Sequence, residues 1–496
     1  MTTSRRLLPL AGTLFLLILG LAAAGASART VSAVVVCLAI VAVLAVTTGL
    51  REVTTAVDAM PTLEGAKTPQ AIARAWLSRT FGALEDSHFR MFYLGNVLQF
   101  GCMNMQLVVR GWLVFHLTGS FAALGTMALA NAIPVLVCSP IGGVVADRAP
   151  KKLVIQASQT YNVLNAVMLV ILAAGWFGLR LEFWHLFLSA FLQGAVNSMA
   201  QPSRQSMISD LVPRERLMNA VGINASGQTF MQLVAPGLAG FLIAAVSPAA
   251  VFAVISTMYL LAILCTTRLP SKPLYAFVPS AVAAGGGHGP GPGRRRGGGG
   301  FADLVAGMKY VGTSRTIRGI MLVNFMIVIV SLPYTQLLPG FVAAVLHRGS
   351  VEQGFLQSVQ GFGAIGGAVF IASSASVGRG RLLLMCGAML GGAILLFSMS
   401  TIYLLTLPIM VFLGFAQSSR MAIGQVLIQE YSEDEYRGRV ASIWFMEFGI
   451  VQFGTFLVGL LAQAFGPQLA IGGMALGLMA AMGLAFLFMP SIRNLE

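Results

Sequence analysis

Long apolar runs, each broken by a short polar or charged stretch, recur almost from end to end of the 496-residue chain. A helix of about 20 apolar residues matches the thickness of a bilayer's hydrocarbon layer. The pattern predicts two such helices at 7–26 and 31–50, then twelve more. Six of these fall at 91–117, 121–145, 153–177, 183–208, 218–246 and 249–267, and six at 319–345, 353–376, 382–401, 403–428, 439–465 and 468–490. The runs are apolar on all sides, whereas a membrane β-strand alternates over about 10 residues. Helices, which satisfy their own backbone groups in hydrocarbon, are therefore expected throughout.

One break stands out. Residues 271–300, ending in Gly285-Gly-Gly-His-Gly-Pro-Gly-Pro-Gly-Arg-Arg-Arg-Gly-Gly-Gly-Gly300, are too polar and too rich in glycine to span or to fold. Behind them, 301–318 mixes apolar and basic residues at helical spacing, as in a helix lying at the membrane surface. The predicted organisation is a hairpin at 1–50, a cytoplasmic linker at 51–87, a six-helix bundle at 88–270, a linker with its interfacial helix at 271–318, and a second six-helix bundle at 319–496. The bundles resemble each other: a displacement of 229 sets Gly125 on Gly354 and Lys152 on Arg381, and one of 220 sets Leu211–Ala220 on Tyr431–Val440. Parallel repeats of this kind place a ligand site near the midplane, between the halves.

Composition narrows the class. Apolar residues make up 57% of the chain, charged residues 10% and mean hydropathy is +0.82, against roughly 25% charged in soluble domains. A soluble enzyme is excluded. The net charge of +14 would suggest nucleic acid, but all of the 31 basic residues except Arg29, Arg110, Arg180 and Arg348 fall at or near the ends that a cytoplasmic N-terminus makes cytoplasmic. The positive-inside rule accounts for the charge, and no nucleic-acid partner is expected. The chain is therefore expected in the cytoplasmic membrane with both termini inside. Arg5-Arg6, the apolar stretch and Ala26-Ser27-Ala28 also imitate a secretory signal, although the run is long for one and a second span follows it directly. Five scattered cysteines, five scattered histidines and the absence of a phosphate-loop motif leave no basis for a metal, a cofactor or ATP hydrolysis.

Function must then rest on polar groups held inside spans, each costly unless it faces protein or water. In the first core span Asn96, Gln99, Met103, Gln106 and Arg110 recur at steps of three or four and share one helix face. They either look into a cavity or bond neighbouring helices, and Arg110 either reaches the interface or anchors a negative group. The seventh core span offers Asn324, Tyr334 and Gln336 beside Pro333 and Pro339, and spans four and ten add Gln193, Asn197, Gln417 and Gln425. Glu447 is the one acidic residue well inside a core span; it is suited either to carry a coupling proton or to pair with a neighbouring arginine.

These residues also carry a resemblance. Gly142-Gly143-Val-Val-Ala-Asp147-Arg148-Ala-Pro-Lys151-Lys152 resembles the G-x-x-x-D-R-x-x-[RK]-[RK] signature of the major facilitator superfamily. Met105-Gln106, Trp112–Ser120, Pro202-Ser-Arg204-Gln205, Pro333–Pro339 and Tyr436-Arg-Gly-Arg-Val440 resemble its exporter branch, which includes siderophore exporters and transmembrane secretion effectors. The resemblance covers 88–490 and implies an all-α polytopic membrane protein with the major facilitator fold, two six-helix bundles, here with an added N-terminal hairpin. It implies that spans one, four, seven and ten line a cavity for a small-molecule substrate, which promotes the amides named above from helix bonding toward substrate contact. It implies a conformational switch of Gly143, Asp147, Arg148, Lys151 and Lys152, with Asp147 reaching the start of span eleven, where free N–H groups favour an anion. Arg437 and Arg439 would extend that charged layer. Two patterns depart from the family. The span-four pattern R-x-x-Q-G reads Ala190-Phe-Leu-Gln193-Gly194, lacking the Arg associated with proton translocation, and the antiporter pattern of span five is only partly present at Ala235–Gly240. The expected activity is secondary export of an amphiphilic molecule by alternating access; the coupling ion stays open, with a proton as one candidate. A non-transporting receptor that uses the hairpin to dock a protein partner is the alternative. No enzymatic constellation is visible.

Overall fold

The computed structural model describes residues 82–271, 273–275, 301–373, 378–433, 436, 439–440, 443–444, 446–493 and 495. The hairpin at 1–50 and most of both linkers lie outside the described residues. In the first half, α1 (Ser87–Thr118), α2 (Phe121–Arg148), α3 (Lys151–Ala173), α4 (Phe183–Leu211), α5 (Leu217–Ala245) and α6 (Pro248–Thr267) follow one another through short turns. Then come α7 (Phe301–Thr313), α8 (Arg315–Ser331), α9 (Pro333–Ala344), α10 (Ser350–Ser373), α11 (Arg379–Met399), α12 (Tyr403–Tyr431), α13 (Glu447–Phe465), α14 (Pro467–Phe488) and the short α15 (Pro490–Arg493). Among the described residues nine spans are long and apolar enough to cross a membrane. Helices α1 and α4, at 32 and 29 residues, fall short on apolarity rather than length. They carry most of the polar face read from the sequence.

Local chemistry sets the helix ends. The Asp86 carboxylate accepts from the His88 and Phe89 N–H groups at 2.7 and 3.1 Å, satisfying donors that the first turn of α1 leaves free. Gly119 closes the same helix with φ +62°, the left-handed conformation that glycine adopts without strain. The predicted interfacial helix ends at Thr313 rather than Arg318, because the Ser314 hydroxyl caps a new helix at the Ile317 N–H. Arg315 and Arg318 therefore belong to the seventh span. That span is broken between α8 and α9 at Leu332, where Pro333 takes the first helical position and its missing N–H costs nothing. Helix α7 docks on the turn after α12, with Tyr310 stacked on Tyr436 at 4.3 Å and its hydroxyl accepting from the Glu433 N–H.

The most extensive crossings between the halves are α2 on α13 and α5 on α10, and α9 also meets α1 and α2. The two larger crossings rest on glycine. A Cβ on Gly125 would meet the Phe456 carbonyl oxygen at 3.0 Å, and one on Gly459 would meet that of Phe121 at 2.8 Å. Across the other seam Gly240 faces Ser350 and Gly354 faces Pro236, each backbone against backbone. Hydrogen bonds from the Ser120 hydroxyl and Phe121 N–H to Gln463 Oε1, from the Gly237 N–H to Ser358 Oγ, and from Ser350 Oγ to the Gly240 carbonyl lie in the same region. All of these belong to the end of the molecule remote from the 271–300 linker.

Away from these crossings, apolar side chains stand exposed on helices that meet the other half. Met103, Leu107 and Gly111 form one stripe of α1 at steps of four; Gly111 meets Pro339 of α9, whereas Met103 and Leu107 are 44% and 38% exposed. On α5, a Cβ added to Gly222 would meet nothing within 4 Å, while Val369 and Phe370 of α10 stand exposed. The main apolar core draws on both halves, but the cluster of Phe89, Phe92, Ile155, Met207, Leu211 and Leu269 near the linker end is built from the first half alone. In a background without native cysteines, a charged, membrane-impermeant thiol reagent should modify Met103→Cys and Leu107→Cys in purified protein and spare Val108→Cys, which is fully buried. Labelling of none of the three would mean that the exposed stripe faces lipid rather than water.

Candidate functional site

A low-dielectric interior makes each polar side chain find a partner or an opening to water. In the first half the partners form a chain of amides. Gln193 Nε2 of α4 donates to Gln106 Oε1 at 2.8 Å and to Asn162 Oδ1 of α3 at 3.0 Å. Asn162 Nδ2 in turn donates to Asn197 Oδ1 at 3.1 Å, which also accepts from Ser158. Asn96 donates to Asn224 of α5 at 3.0 Å. Gln99 is buried with neither amide atom partnered. Asn96, Gln99, Gln106 and Arg110 thus lie against the neighbouring helices of their own bundle, and the open part of the stripe between them is apolar. Arg110 Nη2 donates to Ser189 Oγ at 2.8 Å, next to Ala190, where the span-four signature lacks its arginine. A guanidinium reaches that neighbourhood from α1 instead.

The second half holds a charged cluster. Asn324 of α8 donates from Nδ2 to Glu447 Oε2 at 2.7 Å and accepts at Oδ1 from Arg420 Nη1 of α12. Arg420 and Glu447 lie 3.7 Å apart, both with side chains 1% exposed. The arginine partner left open for Glu447 in the sequence is therefore Arg420, held through a bridging amide. The Tyr334 hydroxyl accepts from Gln360 at 2.9 Å, and its ring packs on Phe397. Gln336 is half-buried, as is Gln417, whose Oε1 is enclosed without a partner. Asn96 and Asn324 take corresponding places: each donates from the first span of its half to the fifth.

Two buried arginines escaped the sequence reading, which grouped them with the basic residues near the cytoplasmic ends. Arg420 lies eleven residues inside the end of α12, about 16 Å along the axis at 1.5 Å per residue. Arg204 of α4 is 5% exposed, and no carboxylate pairs with it among the described residues. Distance from the helix end was the available signal.

Of the predicted switch, Gly143, Asp147 and Arg148 fall in the last turns of α2, where side chains lie outside the described residues. Lys151 pairs with Asp210 of α4 at 2.6 Å and donates to the Ser206 carbonyl. Lys152 donates to the Thr267 and Leu269 carbonyls at 2.8 and 2.7 Å, capping the end of α6. In this conformation both lysines are engaged within their own half. No cluster able to hold a metal ion occurs among the described residues.

Helices in two halves that pack through α2–α13 and α5–α10, nine of their spans long and apolar enough to cross a membrane among the described residues, have the major facilitator fold. Solved structures agree. A variant of the nucleoside transporter NupG superposes with TM-score 0.65 at 13% identity, covering 80% of this chain and 100% of that one. A bacterial homologue of the human lysosomal transporter Spinster, in an inward-facing and unoccupied conformation, gives 0.63 at 16% identity over 82% and 97%. A sequence profile described as transmembrane secretion effector matches residues 78–283 and 298–495. The chain belongs to that family of the major facilitator superfamily. Among curated relatives, the staphyloferrin A transporter of Staphylococcus aureus is 21% identical over 72% of this chain and 84% of its own length. The macrolide efflux protein A of Streptococcus pyogenes is 26% identical over 26% of this chain and 32% of its own. The match to YfiS, an MFS-type transporter of Bacillus subtilis, is also 26% identical but spans only 31% of that relative. The protein is thus a multi-pass membrane transporter of a small-molecule substrate, not an enzyme.

Removing one member of a buried ion pair leaves the other charge stranded, at a cost of about 3–5 kcal/mol. Arg420→Ala should lower the thermal midpoint of the detergent-solubilised protein sharply, and Arg420→Ala with Glu447→Ala should recover much of the loss. Additive losses would show that the two charges do not interact.

Proposed function

We propose that the chain exports a small amphiphilic molecule across the cytoplasmic membrane by alternating access. The observation that supports this reading is that close glycine contacts join the halves remote from the linker, while Val369 and Phe370 of α10 stand exposed toward it. The positive-inside distribution supports a cytoplasmic linker end and cytoplasmic termini. Met103 and Leu107, exposed near the middle of α1, then suit contact with a cargo loaded from that side. The relatives named for macrolide efflux and staphyloferrin A transport support a drug-like or siderophore-like cargo. On this reading Asp147, Arg148, Lys151 and Lys152, beside Gly143, draw the linker ends together in the opposite state, and the Lys151–Asp210 contact is exchanged in doing so.

Glu447 suits proton coupling through its connections. Its carboxylate holds Asn324, which holds Arg420, so one proton on Glu447 would loosen contacts among spans seven, ten and eleven together. Proton-coupled antiport through this cluster is the mechanism we favour.

The test compares small molecules inside cells and in the medium, for cells with wild type, Asp147→Asn, Glu447→Gln or no transporter, at matched membrane levels. Wild type alone should export a compound at full rate. Asp147→Asn should cut export at least tenfold, and Glu447→Gln should export without responding to an imposed pH gradient. Equal content in cells with and without the wild-type chain, across hosts that make siderophores and after loading with macrolides, would count against export. A full pH response in Glu447→Gln would remove the coupling role.

A further inference from the structure

Helices α2 and α13 run antiparallel along one seam: Gly125 lies against Gly459, and a Cβ on Gly449 would meet the side chain of Leu136. The start of α2 and the end of α13 therefore share the end of the molecule remote from the linker. The first turn of a helix leaves backbone N–H groups without an intrahelical partner. Here they are met from both halves. The Ser120 hydroxyl, just ahead of α2, accepts from the Ala123 N–H at 3.3 Å and donates to Gln463 Oε1 at 3.0 Å. Gln463, near the end of α13, uses the same oxygen to accept from the Phe121 N–H at 2.9 Å. One amide carbonyl from the second half thus completes the N-terminal cap of a helix in the first, at a place where the helix dipole favours an acceptor. The ring of the residue so held, Phe121, is buried. With Phe115, whose ring lies 5.1 Å away, it stands so close to Gly340 of α9 that a Cβ there would overlap both rings. Two helices of the second half, α9 and α13, therefore grip a single residue of the first. Gln463 itself is exposed. A neutral acceptor open to water makes a weak tie, which suits a contact that forms and breaks with each change of state.

We propose that Gln463 is a gate residue: its carbonyl clasps the start of α2 while the end remote from the linker is closed, and release of this cap lets α2 move away from α13 there. The gating role rests on the alternating-access reading. On that reading Asp147, next to the last residue of α2, has the corresponding task at the linker end. Each of two antiparallel helices then carries, near its own C-terminus, the group that holds one face shut.

The test uses the purified full chain in detergent, without its native cysteines, and measures how fast a charged thiol reagent modifies Ala128→Cys, a buried seam position one turn from Gly125. Gln463→Leu removes the acceptor and should speed this labelling about threefold or more, the shift in a two-state equilibrium expected from one lost hydrogen bond. Gln463→Glu keeps an acceptor, with a charge that the helix start favours, and should label no faster than wild type. Met207→Cys, buried in the first-half cluster near the linker, should label equally slowly with Gln463 and with either variant. Equal Ala128→Cys rates in wild type and Gln463→Leu would overturn the cap. So would a Gln463→Glu rate as fast as that of Gln463→Leu, which would reduce the role of Gln463 to packing, or acceleration at Met207→Cys, which would mean general loosening. A second arm joins Ser120→Cys to Gln463→Cys with a short, reducible bifunctional thiol reagent in cells that export a compound. Export should stop and should resume on reduction; export that continues through the cross-link would overturn the gate while leaving transport in place. The expected labelling differences in a protein that exports nothing would uphold the cap and refute the transport reading alone.

Discussion

Hydrocarbon sets the terms on which every polar group in this molecule is placed. A backbone amide, a side-chain amide or a charge that would be solvated at no cost in a soluble protein must here find a partner within the bundle. Gln193 binds two amides on two other helices, Lys152 binds the last carbonyls of α6, and Asn324 stands between an arginine and a glutamate. These bonds are few, and between them they tie α1, α3 and α4 in one half and the seventh, tenth and eleventh spans in the other. The apolar contacts are far more numerous, but lipid tails offer much the same to an apolar side chain, so burial against another helix stabilises less than it would in water. The polar ties therefore fix which helix faces which.

Much of this was legible in the sequence, for a physical reason. A span needs about 20 apolar residues whatever surrounds it, so the order of the spans and the break after Arg268 are written locally. Proline positions were legible too: Pro333 starts a new helix where its missing donor does no harm. The resemblance to the transporter superfamily added the bundle arrangement, which no local pattern contains.

The pairing of polar groups was not legible. The five-residue face of α1 reads either as a lining or as helix bonding, and the bonds of Gln106 and Arg110 to α4 and of Asn96 to α5, with Met103 exposed, come only from the fold. Periodicity identifies residues that share a face and says nothing about which neighbour that face meets. Arg420 was passed over for a related reason. A basic residue near a cytoplasmic helix end is ordinarily a topology signal, and only the position of Glu447 on a distant helix turns this one into half of an ion pair. Arg204 shows the same ambiguity without the resolving carboxylate.

The glycine seams bear on how such a fold diversifies. Where Gly125 lies on Gly459 and Gly240 on Gly354, main chain meets main chain, and the only requirement on sequence is that no side chain intrude. A joint made this way is indifferent to the chemistry beside it. Exposed residues away from the joint, such as Met103 and Leu107, are thereby released from holding the halves together and can be exchanged without disturbing it. Fit to one ligand or another can drift among relatives while the mechanical frame is inherited unchanged.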